Sequence, residues 1–296
     1  MVKLLRKHFT SMAFSAETSL SSIKMIITRE DIWEDAPRSK ADGVFRRLVV
    51  SISSLGWTCK IIFYSILSFS SVVSKSSSRR DLLRHLYATG IRTLPVVTVT
   101  SFFTGMILSL QVGLELARFN QEIYLGAAVM ISLIREMGPF SCGMCLAACV
   151  GSAIAAELGT MKVNDDIAAL EIMSISPIKY LASPRIMALL LMSPLLAFYC
   201  CVTGTVGGGL VGQTQLGVDF GQYMASAMSV AETKDLFVGL LKAAVFSIVI
   251  GGVSVAQGFA TSRGATGVGK STQRSVIISF LLILILGYMI TRLCYQ

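Results

Sequence analysis

Charge and histidine are both scarce in this sequence of 296 residues. Asp, Glu, Lys and Arg make up 15% of the residues, whereas 53% are hydrophobic and the mean hydropathy is +0.69. Soluble domains carry about 25% charged residues, so the composition excludes an ordinary soluble domain. It is typical of a polytopic membrane protein. The two histidines, His8 and His85, leave few nitrogen ligands for a metal ion.

Cysteine is present, but without the other ligands that a metal centre needs. Cys142, Cys145 and Cys149 form a C-x2-C-x3-C run inside an apolar segment. In a soluble protein that spacing would indicate an iron–sulfur or zinc site. No fourth ligand lies near the run in the sequence, so we interpret these residues as small side chains packed between helices. We predict that this chain holds no metal and no cofactor.

The first 45 residues lack the sustained apolar core of a cleaved signal peptide. Their serines would suit a transit peptide, but the acidic cluster at 30–35 argues against one, because transit peptides avoid acidic residues. We predict an N-terminal extension over residues 1–45 and a helical membrane domain over residues 46–296. The sequence assigns no function to the extension.

Positive charge is concentrated before the first long apolar segment. Fifteen basic and seven acidic residues lie at or before Arg92, against eleven and ten after it. A basic segment of this kind is attracted to the anionic cytoplasmic leaflet of a membrane. Nucleic acid is the competing partner, but no recognised nucleic-acid-binding motif accompanies the charge, and we predict none is bound.

Charge-poor stretches predict an all-α polytopic membrane protein with five transmembrane helices, since about 20 apolar residues span a bilayer core. Residues 46–75 start with basic residues and are interrupted by Gly56 and Lys60, which favours a helix lying in the membrane interface; a full span is the alternative. The third span lies in a 33-residue stretch without charge, interpreted as a helix followed by an apolar turn. The five spans are predicted at 93–114, 124–156, 186–212, 236–260 and 275–293.

The distribution of Lys and Arg predicts the orientation of the chain. Basic residues mark the N-terminus and the loops 157–185 and 263–274 as cytoplasmic, whereas the two remaining loops carry one basic residue each. Five spans then place the C-terminus on the outer side. Lys242, a lone charge within the fourth span, is expected to extend toward the preceding loop.

Two charged residues interrupt the second span. An ionised side chain at membrane depth costs about 2.5–3.5 kcal/mol, so Arg135 and Glu136 are expected to face a bundle interior or a wet cavity. Neighbours on a helix lie about 100° apart and need not pair with each other. We predict a substrate cavity lined by Glu136 and oriented by Arg135, with Gly138 and Pro139 as a hinge. The alternative is that Arg135 extends to the lipid head groups.

Polar and small residues in the first two spans predict helix contacts. Gln111 is assigned to the same substrate cavity, although an ordinary interhelical hydrogen bond would also explain it. A strip of small residues recurs every four positions in the second span and predicts close packing against another helix. The strip consists of Gly143, Ala147, Gly151 and Ala155.

A short amphipathic helix is predicted at 164–174, in the loop after the second span. Asn164 is expected to cap it, and Asp165 and Asp166 suit the positive end of the helix dipole. Ile167, Leu170 and Met173 or Ser174 then fall on one side. Helices that lie on a bilayer surface usually carry a basic polar face, and this one is acidic. We therefore predict that it docks against a protein partner.

One motif suggests nucleotide binding, but its context does not. Residues Gly264–Ser271 read GATGVGKS, which matches the phosphate-binding pattern G-x-x-x-x-G-K-[ST]. That pattern works between a buried strand and a soluble helix, with a second acidic motif for magnesium. Here it lies between two membrane spans. We interpret the match as fortuitous and assign Lys270 to the cytoplasmic positive charge.

Three stretches together resemble a known family. The sequence REMGP at 135–139, the long run AAELGTMKVNDDIAALEIMSISPIKYLASPR at 155–185, and LSLQ at 108–111 resemble the MlaE/YrbE family of ABC-transporter permeases. Members of that family move phospholipid between membranes of diderm bacteria and plastids. The resemblance extends from about residue 47 to the C-terminus and does not include the N-terminal extension.

The resemblance implies a permease subunit without its own catalytic activity, in a bacterial inner membrane. It implies a homodimer around a lipid cavity, a separate ABC ATPase that binds ATP, and an MCE-type lipid-binding protein on the periplasmic side. The loop helix then resembles the family's coupling helix, and the expected ATPase-coupling residues are Glu157, Asp165, Asp166, Leu170 and Glu171. An ion-coupled secondary transporter using Glu136 is the alternative, which would be supported by internal repeats.

Overall fold

Helices and turns make up the part of the chain that the structure describes, which is residues 76–262 and 264–295 of a computed structural model. The extension at 1–45 and the interfacial helix at 46–75 lie outside the described residues. Five helical stretches are long and apolar enough to span a membrane, which confirms the all-α polytopic fold. They run over Arg80–Arg118, Glu122–Val163, Ile178–Gln215, Thr233–Phe259 and Ala265–Tyr295.

The first span consists of two helices joined by a short turn. Helix α1 covers Ser76–Gly90 and helix α2 covers Leu94–Arg118. Proline at the start of α2 cannot donate a backbone hydrogen bond to the preceding turn, which suits a helix start. The hydroxyl of Thr93 donates to the carbonyls of Thr89 and Gly90. These carbonyls at the end of α1 thereby gain a hydrogen-bond donor.

The second span is interrupted twice by π-helical turns. Its α-helical parts are α3 (Leu125–Ser132), α4 (Gly138–Leu146) and α5 (Ser152–Val163). The π turns cover Leu133–Met137 and Ala147–Gly151. The first of them immediately precedes Gly138 and Pro139, where the sequence predicts a hinge. Such turns are frequent at functional sites.

The third span is a longer helix than predicted, and the apolar turn after it is confined to residues 216–218. After the loop helix α6 (Asp166–Ile172) and a π turn, helix α7 runs without interruption over Ser183–Gln215. A Cβ atom added at Gly105 of α2 would lie 1.9 Å from the carbonyl oxygen of Gly204 in α7. Backbone packing at this distance needs glycine at position 105, and it holds α7 close to α2.

The chain then forms a helix that the sequence analysis missed. Helix α8 covers Phe220–Ser229 and is capped by the carboxylate of Asp219, which accepts from the backbone N–H groups of Gly221 and Gln222. Its Tyr223 is wholly buried. Asp219 followed by an amphipathic stretch is the signal that could have predicted this helix.

The last two spans are α9 (Thr233–Phe259) and α10 (Ala265–Tyr295). The strip of small residues packs the second span against α9. A Cβ atom at Gly143 would lie 3.3 Å from the ring of Phe246, and one at Gly151 would lie 2.9 Å from the hydroxyl of Ser254. The cysteines of the same span are free thiols, and Cys142 donates to the carbonyl of Ser193.

Candidate functional site

An ion pair joins the second span to the start of α9. The guanidinium of Arg135 donates through Nε and Nη2 to Oδ2 of Asp235, with both distances 2.8 Å. The ring of Tyr295, at the end of α10, lies 4.5 Å from the guanidinium carbon, and its hydroxyl donates to Oδ1 of Asp235 at 2.8 Å. Three spans therefore meet at one charged contact.

A second ion pair lies beside the first. The ammonium of Lys242 in α9 is 2.7 Å from Oε1 of Glu136. It also donates to the backbone carbonyl of Arg135 and to the hydroxyl of Thr291 in α10, each at 2.6 Å. The Thr291 hydroxyl donates in turn to Glu136. The expectation that Lys242 extends toward a loop is wrong, because this buried ammonium has three acceptors inside the bundle.

Pro139 explains why a carbonyl is available to Lys242. In an α-helix the carbonyl of Arg135 would accept from the N–H of residue 139, and proline has none. The π turn shifts the local bonding, and the N–H of Gly138 donates to the carbonyl of Leu133. The Arg135 carbonyl accepts from Lys242 instead. The residue predicted as a hinge thus supplies an acceptor for a buried cation.

The two helices approach closely at this point. A Cβ atom at Gly239 of α9 would lie 2.5 Å from the carbonyl oxygen of Ile134 in the π turn. Glycine at this position lets α9 come near enough for Asp235 and Lys242, on either side of it, to reach the second span. The ion pairs and the close packing therefore depend on each other.

Each ion pair has one buried and one partly exposed member. The side chains of Asp235 and Lys242 are 3% and 0% exposed, whereas those of Arg135 and Glu136 are 38% and 41% exposed. Neighbouring residues thus present a partly exposed guanidinium and a partly exposed carboxylate at the bundle surface. The neutralising partners behind them lower the cost of holding both charges at membrane depth. We call these four residues the ionic cluster.

The remaining predicted residues have different positions. Gln111 is exposed on α2 and takes no part in the hydrogen bonds of the ionic cluster. The structure places Arg135 and Glu136 close to Pro139 and adds four residues that the sequence analysis did not assign to this site, among them Lys242, which it had recognised only as a lone charge. Their only sequence signals were lone polar or charged residues in or beside the apolar spans. They are Asp235, Lys242, Thr291 and Tyr295.

The loop helix starts later than predicted. Asn164 does not cap it; this residue ends α5, and its N–H donates to the carbonyl of Thr160. Asp165 is the residue before α6, and its φ of 61° is left-handed, which reverses the chain direction sharply. Asp165 also makes no side-chain hydrogen bond to the helix start. Asp166 alone lies in the first turn.

The apolar face predicted for this helix is divided between two sides. Ile167 is buried and Leu170 packs partly against the hydrophobic core, so both face the protein's own bundle. Ile172 and Met173, at the end of α6, are 85% and 67% exposed. Glu171 is exposed beside them. The exposed surface at this end of the helix is thus Glu171–Met173, whereas Leu170 is partly buried, and its role in coupling to an ATPase stays a prediction.

Glu157 forms an ion pair within the chain. Its Oε2 lies 2.9 Å from Nη2 of Arg185, at the start of α7. The pair connects the ends of the second and third spans near the loop helix. A role for Glu157 in contact with an ATPase stays a prediction.

The residues of the phosphate-binding pattern are mostly helical. Helix α10 starts at Ala265, so only the first residue of Gly264–Ser271 lies outside it. A Cβ atom at Gly267 would lie 2.2 Å from the carbonyl oxygen of Ser262, which shows how tightly this helix start is packed. The hydroxyl of Ser271 is buried and bonded to Thr261. These residues do not form an open loop around a phosphate.

Five apolar spans, a charged cluster within them and a short loop helix with an exposed end define a polytopic membrane protein. Residues 82–293 match the profile of a family described as Permease MlaE. The chain belongs to the MlaE permease family, and it is an ABC transporter permease.

Relatives of the chain come from bacteria and from a plant. It is 38% identical to a probable ABC transporter permease protein of Rickettsia typhi, over 79% of this chain and 90% of the relative. It is 29% identical to the intermembrane phospholipid transport system permease protein MlaE of Haemophilus influenzae, over 77% and 88%. The chloroplastic protein trigalactosyldiacylglycerol 1 of Arabidopsis thaliana is 32% identical, over 73% of this chain and 62% of the relative.

Proposed function

We propose that this chain moves phospholipid between the inner and outer membranes of a bacterium, driven by a separate ATPase subunit. The observation that carries the proposal is the paired exposure of Arg135 and Glu136 within an apolar bundle. A phospholipid head group carries a phosphate and, in zwitterionic lipids, an amine, which these two side chains would bind. The name of the Haemophilus influenzae relative supports phospholipid as the substrate.

Two copies of the chain would enclose the lipid. The partly exposed sides of the ionic cluster would face a cavity between the protomers, where the guanidinium of Arg135 meets the phosphate. Gln111, exposed on α2, would line the same cavity. The π turn and the Gly138–Pro139 step would let the second span bend as the cavity opens and closes.

The ATPase would act through the loop helix. ATP binding and hydrolysis in the partner shift the permease only if the two states of the permease differ in their contacts with it. The exposed end of α6, at Ile172 and Met173, is the surface we assign to that contact. Because Ile167 and Leu170 anchor α6 to the bundle, a movement of the ATPase would be transmitted to the ends of the second and third spans. ATP itself binds only to the partner.

We assign the loop helix and the loop at 263–274 to the cytoplasm, with the N-terminus also inside and the C-terminus outside. In this orientation the ionic cluster lies in the outer half of the membrane, near the end of α10 and the start of α9. An MCE-type lipid-binding protein on the periplasmic side would exchange lipid with this end of the bundle.

The test is transfer of labelled phospholipid by the complex of this chain with its ATPase, reconstituted in liposomes. Glu136→Gln and Arg135→Gln should each abolish ATP-driven transfer while the complex still assembles. Arg118→Gln is the matched control, since Arg118 forms only an exposed pair with Glu115. Transfer at the wild-type rate in both cluster variants would refute the assigned site. Transfer driven by a proton gradient without the ATPase would favour a secondary transporter using Glu136.

A further inference from the structure

A second polar site lies at the opposite end of the second span from the ionic cluster. It is a cavity of about 60 Å³ between α1, α5 and α7. Glu157, on its wall, follows Arg135 by 22 residues, which corresponds to about 30 Å along a helix. That is the thickness of a bilayer core, so the cavity and the ionic cluster belong to different leaflets.

The wall of the cavity contains a buried cation. The side chain of Arg185 is 9% exposed, and it donates through Nη1 to the carbonyl of Leu181 at 2.7 Å and through Nη2 to Glu157 at 2.9 Å. His85 and Thr89 of α1 complete the polar wall.

One donor in this cavity is unsatisfied. The Nε–H of Arg185 is buried and has no hydrogen-bond partner among residues 76–262 and 264–295. Buried charged donors are almost always paired, because an unpaired one is destabilising. Arg185 and His85 line the same small space. A ligand that entered the cavity would supply an acceptor that the described residues do not.

The position and charges of the cavity indicate the chemistry of that ligand. Ala153 and Glu157 line the cavity and are exposed, so the cavity opens at the surface of the bundle near the end of the second span. Arginine and phosphate form strong charge-assisted hydrogen bonds. The carboxylate of Glu157, beside Arg185, would repel a ligand with only negative charge and attract one whose phosphate is followed by an amine.

We propose that this cavity binds the phosphate of a zwitterionic phospholipid from the leaflet opposite to the ionic cluster. Arg185 would donate to the phosphate through Nε, His85 would provide a second donor, and Glu157 would accept from the amine. Val150 and Ile154, also on the wall, would contact the start of an acyl chain. The inference requires only that the chain spans a membrane, and it is independent of transport or of the ATPase.

The test uses the full chain, purified in detergent, and phosphatidylethanolamine with a photoactivatable diazirine in its acyl chain. Adducts are mapped by mass spectrometry on peptides that contain residues 85–89 or 150–157. Two variants are compared with the wild type. Arg185→Gln removes the unsatisfied donor, and Ala153→Leu fills the cavity from an exposed position while Arg185 keeps its contacts. Arg118→Gln, an exposed arginine on another part of the bundle, is the matched control.

We expect labelling of these peptides in the wild type and in Arg118→Gln, and about tenfold less in Arg185→Gln, the loss typical of one charge-assisted hydrogen bond. Ala153→Leu should also lose labelling, because its side chain occupies the cavity. Unlabelled phosphatidylethanolamine should compete, and diacylglycerol, which has no phosphate, should not. Unchanged labelling in Ala153→Leu, or equal competition by diacylglycerol, overturns the proposal. If inorganic phosphate competes equally well at the same concentration, the cavity is an anion site, but the proposal that a phospholipid is its ligand is wrong. This experiment does not measure lipid transfer. A failure of the transport proposal can therefore be distinguished from a failure of the proposal for this cavity.

Discussion

The buried ammonium of Lys242 lies 2.7 Å from the carboxylate of Glu136, which is itself 41% exposed. One member of the pair is thus inside the bundle and the other is at its surface. Removing the exposed member leaves a buried charge without its counterion, whereas removing both leaves none. Comparing the single with the double removal therefore separates the effect of Glu136 on stability from its effect on transport.

Glu136→Gln should lower the stability of the permease, by about 3 kcal/mol if Lys242 behaves as a buried unpaired charge. The double variant Glu136→Gln with Lys242→Met should recover most of that loss, because an apolar side chain tolerates the buried site. The loss in the single variant and the recovery in the double variant are measured as melting temperatures of the purified chain, with a dye that reacts with exposed thiols. Equal melting temperatures for Glu136→Gln and the wild type would show that Thr291 and the Arg135 carbonyl are sufficient to stabilise the buried ammonium of Lys242. Neither variant should support lipid transfer.

Pro139→Ala tests the link between the proline and the ion pairs. Alanine restores an N–H at position 139, which competes with Lys242 for the carbonyl of Arg135. We expect a straighter second span with unchanged or higher melting temperature and slower ATP-driven lipid transfer. Pro194→Ala, within α7, is the matched control because it makes the same change in another span. Equal transfer rates in Pro139→Ala and Pro194→Ala would show that Pro139 has no specific role in transport.

The exposed end of α6 gives a prediction about assembly. Ile172→Asp and Met173→Asp place a charge on the surface assigned to the ATPase and should abolish its co-purification, because the two side chains have little contact with their own bundle. Insertion and melting temperature of the permease should stay unchanged. Met228→Asp, at an exposed position on α8, is the control.

Leu170→Asp is expected to behave differently from those two variants. Leu170 packs against the core, so the charge should destabilise the permease itself as well as the complex. Unchanged co-purification in Ile172→Asp and Met173→Asp would refute the surface assigned to the ATPase. A Leu170→Asp variant that folds normally and loses only the binding of the ATPase would show that Leu170 belongs to the surface that contacts the ATPase.

The number and approximate positions of the spans could be predicted because hydropathy is a local property of the sequence. The partners in the ionic cluster could not. Arg135 and Asp235 are 100 residues apart, and a single sequence does not show that their helices are neighbours. Lys242 was recognised as a lone charge, but its position in the bundle depends on the close approach at Gly239 and on the acceptor released by Pro139.

The loop helix illustrates a second limit. Its existence and its acidic start follow from the sequence, whereas the direction of its faces depends on the left-handed backbone at Asp165. Aspartate adopts that conformation more readily than most residues, but no pattern required it here. The reversal turns Ile167 and Leu170 toward the bundle and leaves Ile172 and Met173 outside.

Close packing of α2 on α7 gives the final prediction. Gly105→Ala adds a methyl group 1.9 Å from the carbonyl oxygen of Gly204, and backbone cannot yield as the end of a side chain can. The two helices must separate, so the melting temperature should fall and less folded protein should be recovered from membranes. Gly269→Ala is the matched control, since no atom lies within 4 Å of the added Cβ atom and position 269 is helical. Alanine there should be neutral or stabilising by up to about 1 kcal/mol. If both variants melt at the wild-type temperature, the contact at Gly105 does not hold the first and third spans together.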